Sequence, residues 1–299
     1  MLLWQAASGA TCPPPLPNPS AEQLQAALRQ DRGLLWTLQR DGRTAYLYGT
    51  LHVGRPEWMT PGPQVAAALD RSEVLALEID PTDATVQREM AAHADAETPT
   101  LPVALKDRLA RQVAAACLPA AALAGMHPAM QAMLLGVLEA RWVGLDPGYA
   151  QERALARRVL DAGHRIVSLE SVALQKKALL PDGPAETLAM VEQMLSQLES
   201  GSERASAARL AQVWAQGDLA TLEAYERWCD CIHNDEERAA MRALNDERNP
   251  ALAERIEALH REGRPLFVAV GALHMTGAQS LLRLLAARGF RIERVEFRP

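Results

Sequence analysis

The sequence predicts an α/β fold: a central mixed sheet formed by the N- and C-terminal segments, with a large helical insertion between them. Three observations support this. Short β-rich apolar runs lie near 34–48, 74–77, 166–169 and 265–297, while Ala- and Leu-rich stretches at helical spacing fill roughly 84–163 and 171–262. Glycine, proline and Asp-Gly signals punctuate the runs. Four of the runs close on a histidine or a glutamate. At 299 residues the chain is long enough to bury a large core. The expected organisation is an exported tail with a signal remnant over 1–30, then one α/β domain over 31–299.

Residues 12–20 are Pro-rich and polar and read as an irregular arm. Leu34–Gln39 and Thr44–Tyr48 read as strands joined by an Asp41-Gly42 hairpin turn. The second ends in Gly49-Thr50-Leu51-His52, and the short run Val74–Leu77 ends in Glu78. The helical stretch that follows is broken near Pro102, Pro119, Pro128 and Pro147. After the helix stop Ala162-Gly163, Ile166–Leu169 reads as a strand ending in Glu170. In the next helical block, Asp218 and Asn249-Pro250 are helix starts. Pro265–Val270 is a strand ending in Gly271-Ala272-Leu273-His274, followed by a helix over 277–287 and a last strand over 290–297.

The composition excludes several classes. Hydrophobic residues make up 48% of the chain, too many for a disordered protein. A formal charge of −6 argues against a nucleic-acid partner, which needs a concentrated basic surface. No stretch approaches the roughly 20 apolar residues that cross a bilayer. Met1–Trp4, followed by the small residues Ala6–Ala10, reads as a secretory-signal remnant or as a disordered tail. An even set of cysteines (Cys12, Cys117, Cys229 and Cys231) tips this toward export, although their pairing is open.

The chemistry-bearing residues fall in the order His52, Glu78, Glu170, His274, each at a strand end. Open α/β sheets bind ligands beyond the carboxyl ends of their strands. The G-x-x-H motif occurs twice, and Leu75–Glu78 is echoed by Val167–Glu170, as though two related half-sites faced each other. A carboxylate after a fully apolar strand is costly unless paired. Two imidazoles and two carboxylates form a ligand set for first-row divalent metals, which activate bound water. A carboxylate outside that set serves as general base. Glu78 and Glu170 have a competing reading as helix-entry residues beside Pro81-Thr82-Asp83 and Ser171. For Arg248, spacing alone favours pairing with Asp246 or Glu247. His93, His127, His164, His233 and His260 lack a matching partner motif, and Trp214, Tyr225 and Trp228 read as core.

On these residues the chain resembles the TraB/GumN family, related to the Tiki metalloproteases. The resemblance runs from about 31 to 297. It rests on Tyr48–His52, Leu77-Glu78, Ser168–Glu170 with Gln175, Arg248-Asn249 and Val270–Gly277. It implies a sheet-centred fold and metal-dependent peptide hydrolysis with manganese, cobalt or zinc. The implied metal ligands are His52, His274, Glu78 and Glu170, and the implied catalytic residues are Glu78, Glu170 and Arg248. Where many relatives carry an aspartate before the second glutamate strand, this chain offers Glu152. Trp228-Cys229-Asp230-Cys231 resembles an exported bacterial subgroup, implying a periplasmic or secreted protein with a peptide or protein substrate. The alternative expectation is a non-catalytic periplasmic protein using the same cleft for a peptide, haem or another small ligand.

Overall fold

Asp41 and Gly42 both take positive φ, 51° and 70°, in the tight hairpin that the Asp-Gly pair favours. They join β1 (Leu34–Arg40) to β2 (Arg43–Thr50) in the computed structural model, which describes residues 12–90 and 98–297. The apolar start at Met1–Trp4, the small-residue cluster and His93 lie outside the described residues. The other strands are β3 (Val74–Leu77), β4 (Arg165–Ser168), β5 (Leu266–Gly271) and β6 (Arg291–Arg294).

The sheet order is β4-β3-β5-β2-β1-β6. Strands β4, β3, β5 and β2 are mutually parallel, and β1 pairs antiparallel with β2 and with β6. This is the expected mixed α/β sheet, with one refinement. The edge strand β4 comes from mid-chain, so the helical insertion is split into blocks on either side of it.

All four residues of β3 and most of β5 are buried, as continuous apolar runs in a parallel sheet should be. The main core covers the sheet around Leu38, Leu47, Leu75, Phe267 and Trp214. A second core lies off the sheet. It joins the helices Val103–Ala115, Pro128–Leu138 and Pro184–Ser200 through Leu105, Leu109, Leu135, Val191 and Leu195. Each buried leucine contributes about 1.5–3 kcal/mol over exposure, so the insertion carries a hydrophobic reason to fold beside the sheet.

The expected breaks are real. Pro102 stands at a helix N-cap, and Pro128 and Pro147 open helical turns. Asp218 caps its helix through Thr221. The helix expected over 277–287 starts later, at Leu281. Gly277 has φ 81°, outside helical geometry, and Ser280 supplies the cap by accepting from the Arg283 backbone. The last strand is likewise shorter than 290–297.

Candidate active site

The parallel strands β4, β3, β5 and β2 point their carboxyl ends the same way, so their terminal residues line up as Glu170, Glu78, His274 and His52. The two G-x-x-H echoes therefore lie on neighbouring strands, not on facing halves. They are also not equivalent. Thr50 still pairs in register with Gly271, where a 3-10 turn over Ala272–Met275 begins. That turn buries His274, whereas the His52 side chain remains 65% exposed. The glycines serve close approach, not unusual backbone angles. A Cβ at Gly49 would stand 3.1 Å from Ala272 Cα, so β2 and the turn would have to move apart by a few tenths of an ångström.

His274 is fixed from behind. Its Nδ1 lies 2.7 Å from Oδ1 of buried Asn249, whose Nδ2 donates to the Gln279 carbonyl at 2.9 Å. With Nδ2 so engaged, Asn249 Oδ1 is the acceptor, and His274 Nε2 is left facing Glu78 Oε1 at 3.7 Å.

His52 has a carboxylate in the same role. Its Nδ1 lies 3.0 Å from Glu152 Oε1, which also accepts from Thr50 Oγ1 at 2.5 Å. Gln151, beside Glu152, accepts from the Leu51 backbone at 2.8 Å and fixes the register of the loop. Glu152 pushes the His52 imidazole up to about 9; Glu78 adds to the shift and Arg248 works against it. The other carboxylate oxygen of Glu152 is buried without a partner among the described residues.

The glutamates meet at Arg248. Glu78 Oε1 accepts from the Gly271 backbone at 2.8 Å, and its Oε2 accepts from Arg248 Nη2 at 2.6 Å. Glu170 Oε2 accepts from Arg248 Nε at 3.1 Å, and its Oε1 accepts from Nη2. Gln175 Nε2 stands 3.5 Å from Glu170 Oε1. Burial alone would raise the Glu78 carboxyl, but His274, His52 and Arg248 outweigh it and hold the group well below the usual carboxylate range.

The helix-entry readings of the glutamates pass to their neighbours. Ser171 caps the helix Val172–Leu179, and Asp83 accepts from the Thr85 backbone. The expected pairing of Arg248 with Asp246 or Glu247 is overturned. The helix Asn249–Arg261 begins beside the cleft, and the guanidinium pairs there with two buried carboxylates instead of with half-buried Asp246 or exposed Glu247.

A Cβ placed on Gly271 would stand 3.4 Å from Glu78 Oε1, 3.6 Å from His274 Cδ2 and 3.7 Å from His52 Nε2. The three side chains thus converge on one point. A cavity of about 260 Å³ opens beside it, lined by His52, Glu78, Glu152 and Gln175 among others. Among the described residues, no three His, Cys, Asp or Glu side chains are spaced to hold a metal ion as they stand. The donor chemistry nevertheless suits one. Both imidazoles have Nδ1 engaged by an outer acceptor and Nε2 turned to the cleft, which is how metal-binding histidines are oriented.

The remaining histidines lie apart from this cleft. His127 caps the helix Pro128–Leu138, His233 lies between Asp230 and Glu237, and buried His260 stacks edge-on against Phe290. Trp214 is buried and donates to the Gly49 carbonyl at 2.7 Å, holding the strand end before His52. Gln151 carries no sequence signal of its own, since a polar residue in a first helical turn is ordinary.

A family model described as the TraB/PrgY/gumN family matches residues 34–294. None of the curated proteins and none of the solved structures compared with the chain matches it.

Proposed function

The chain belongs to the TraB/PrgY/gumN family, and from that premise we propose that it is a metal-dependent hydrolase acting on peptide bonds. The observation that carries the reading is the convergence of His52 Nε2, His274 and Glu78 on Gly271, with both imidazoles anchored from behind. These three residues would hold the cation. When bound, a divalent ion supplies Lewis acidity to water and to the carbonyl under attack.

The protein's own groups do the rest. Glu152 and Asn249 orient the two imidazoles and leave each Nε2 free to the cleft. Glu170, outside the donor set, is the carboxylate left to take a proton from the attacking water. Arg248 fixes that carboxyl and keeps two like charges close together. A periplasmic or secreted setting goes with this reading, because all four cysteines are disulfide-bonded and such bonds persist in oxidising compartments.

A second reading is a binding protein without turnover. It is favoured by Arg248, whose guanidinium pairs with both buried glutamates and so competes with a cation for them. Elemental analysis after chelator stripping and refilling with manganese, cobalt or zinc separates the two. The hydrolase reading expects stoichiometric metal in the wild type, its loss in a His52→Ala/His274→Ala double variant, and peptide cleavage that a chelator stops reversibly. Well-folded proteins that both bind no metal would end that reading and leave the binding protein.

A further inference from the structure

We propose that the Cys229–Cys231 disulfide is a redox-active pair that exchanges with an external dithiol, an activity separate from the cleft. The two disulfides of the chain differ in kind. Cys12–Cys117 closes a loop of sequence separation 105, whereas Cys229–Cys231 spans a separation of 2. The gain from constraining the unfolded chain grows with loop length, so the short bridge contributes little to stability. Its central residue Asp230 turns the chain at φ 51°, a left-handed conformation that aspartate tolerates, so the two cysteines are brought together by a local turn. A bond that adds little stability to the fold is lost at little cost to it, so it is the one more readily reduced.

The surroundings supply direction. Cys229 is buried and Cys231 is half-buried, so an incoming sulfur reaches Cys231. The Cys231 backbone N–H already points at Cys229 Sγ, 3.2 Å away. The Tyr225 hydroxyl stands 3.7 Å from Cys231 Sγ, and Tyr225 also lines a cavity of about 390 Å³ with Arg227, Met241 and Leu273. The cysteines themselves do not line that cavity; Tyr225 is the residue that touches both it and Cys231.

In the exchange, a thiolate of the external dithiol attacks Cys231 Sγ. The bond to Cys229 breaks, and its electron pair leaves on Cys229, where the Cys231 N–H stabilises the thiolate. The second thiolate of the dithiol then attacks its own partner sulfur, breaks the mixed disulfide and releases Cys231. The dithiol loses two electrons and becomes a disulfide; the pair gains them, and the two protons end on Cys229 and Cys231. A small disulfide such as oxidised glutathione reverses the process.

The test uses the full chain in glutathione buffers of stepped ratio, quenched by alkylation and read by peptide mapping, with circular dichroism alongside. Cys229 and Cys231 should become reduced at a ratio of reduced to oxidised glutathione roughly tenfold or more below that needed for Cys12–Cys117, with the fold retained. Given oxidised glutathione, Cys229→Ser should take up glutathione on Cys231, while Cys231→Ser takes up none on Cys229. Reduction of both disulfides together, or resistance of Cys229–Cys231 beyond Cys12–Cys117, would overturn the proposal. So would a folded Cys229→Ser that stays unmodified.

Discussion

Arg248 carries the charge balance of the cleft, because Glu78 and Glu170 are both buried within reach of one guanidinium. Removing one partner of a buried ion network leaves charge without compensation. Arg248→Met should therefore cost about 3–5 kcal/mol in urea unfolding. Arg248→Lys should recover only part, since an ammonium lacks the planar fork that reaches both carboxylates. A loss below about 1 kcal/mol, the size of an exposed pair, would show that the clamp does not hold the fold.

Glu152 governs His52 in the same way. In chelator-treated protein, His52 should titrate near 9, and Glu152→Gln should bring it back toward the ordinary histidine range by NMR. The folded value lies above the unfolded one, so the stabilisation is complete below about 6.5 and is lost as pH rises through about 9. Between those limits the wild type should lose stability that the Glu152→Gln variant does not. Parallel pH profiles for the two proteins would refute the coupling.

The elements that hold these residues meet at close backbone contacts. After His52, the chain forms a two-way bridge between Gly54 and Asp146, with N–H to carbonyl distances of 3.0 Å and 2.8 Å. That bridge ties the His52 loop to the segment leading into the helix Gln151–Asp161, which carries Glu152. A Cβ on Gly54 would fall 2.2 Å from the Tyr149 carbonyl oxygen, so Gly54→Ala must push the two segments apart. The expected cost is about 1–3 kcal/mol in thermal unfolding, with a lowered His52 titration as its imidazole leaves Glu152. An unchanged melting temperature and titration would mean the loop yields freely. Of these devices, G-x-x-H was visible in the sequence, whereas the Gly54 contact was not. Its partner is nearly a hundred residues away, and no local pattern announces such an approach.

Across the whole molecule, the Cys12–Cys117 disulfide fastens the Pro-rich arm to the end of the helix Val103–Ala115. Closing a loop of about 100 residues is worth roughly 4.7 kcal/mol in the chain-entropy account, with measured values more often 2–5. The Cys12→Ser/Cys117→Ser protein should therefore unfold at markedly lower denaturant, in contrast to a Cys229→Ser/Cys231→Ser protein, which should unfold close to the wild type. Equal losses in the two variants would contradict the loop-length argument. The pairing itself could not be read from four cysteines, since it depends on which helix end meets the arm.

The linear pattern determined which segments become strands, where proline and Asp-Gly end them, and that two histidines and two glutamates stand at strand ends. Those are local matters of apolar period, turn chemistry and the placing of polar residues after buried runs, and a chain of residues displays them directly. Tertiary structure alone decided the order β4-β3-β5-β2, which sets the glutamates side by side at one end of the row and the histidines at the other. It also decided that Arg248 turns from its acidic neighbours to Glu78 and Glu170, and that Glu152 and Asn249 stand behind the imidazoles. These choices follow from burial, because a carboxylate or a guanidinium gains most from whichever opposite charge shares its removal from water, and only the folded chain fixes which one that is.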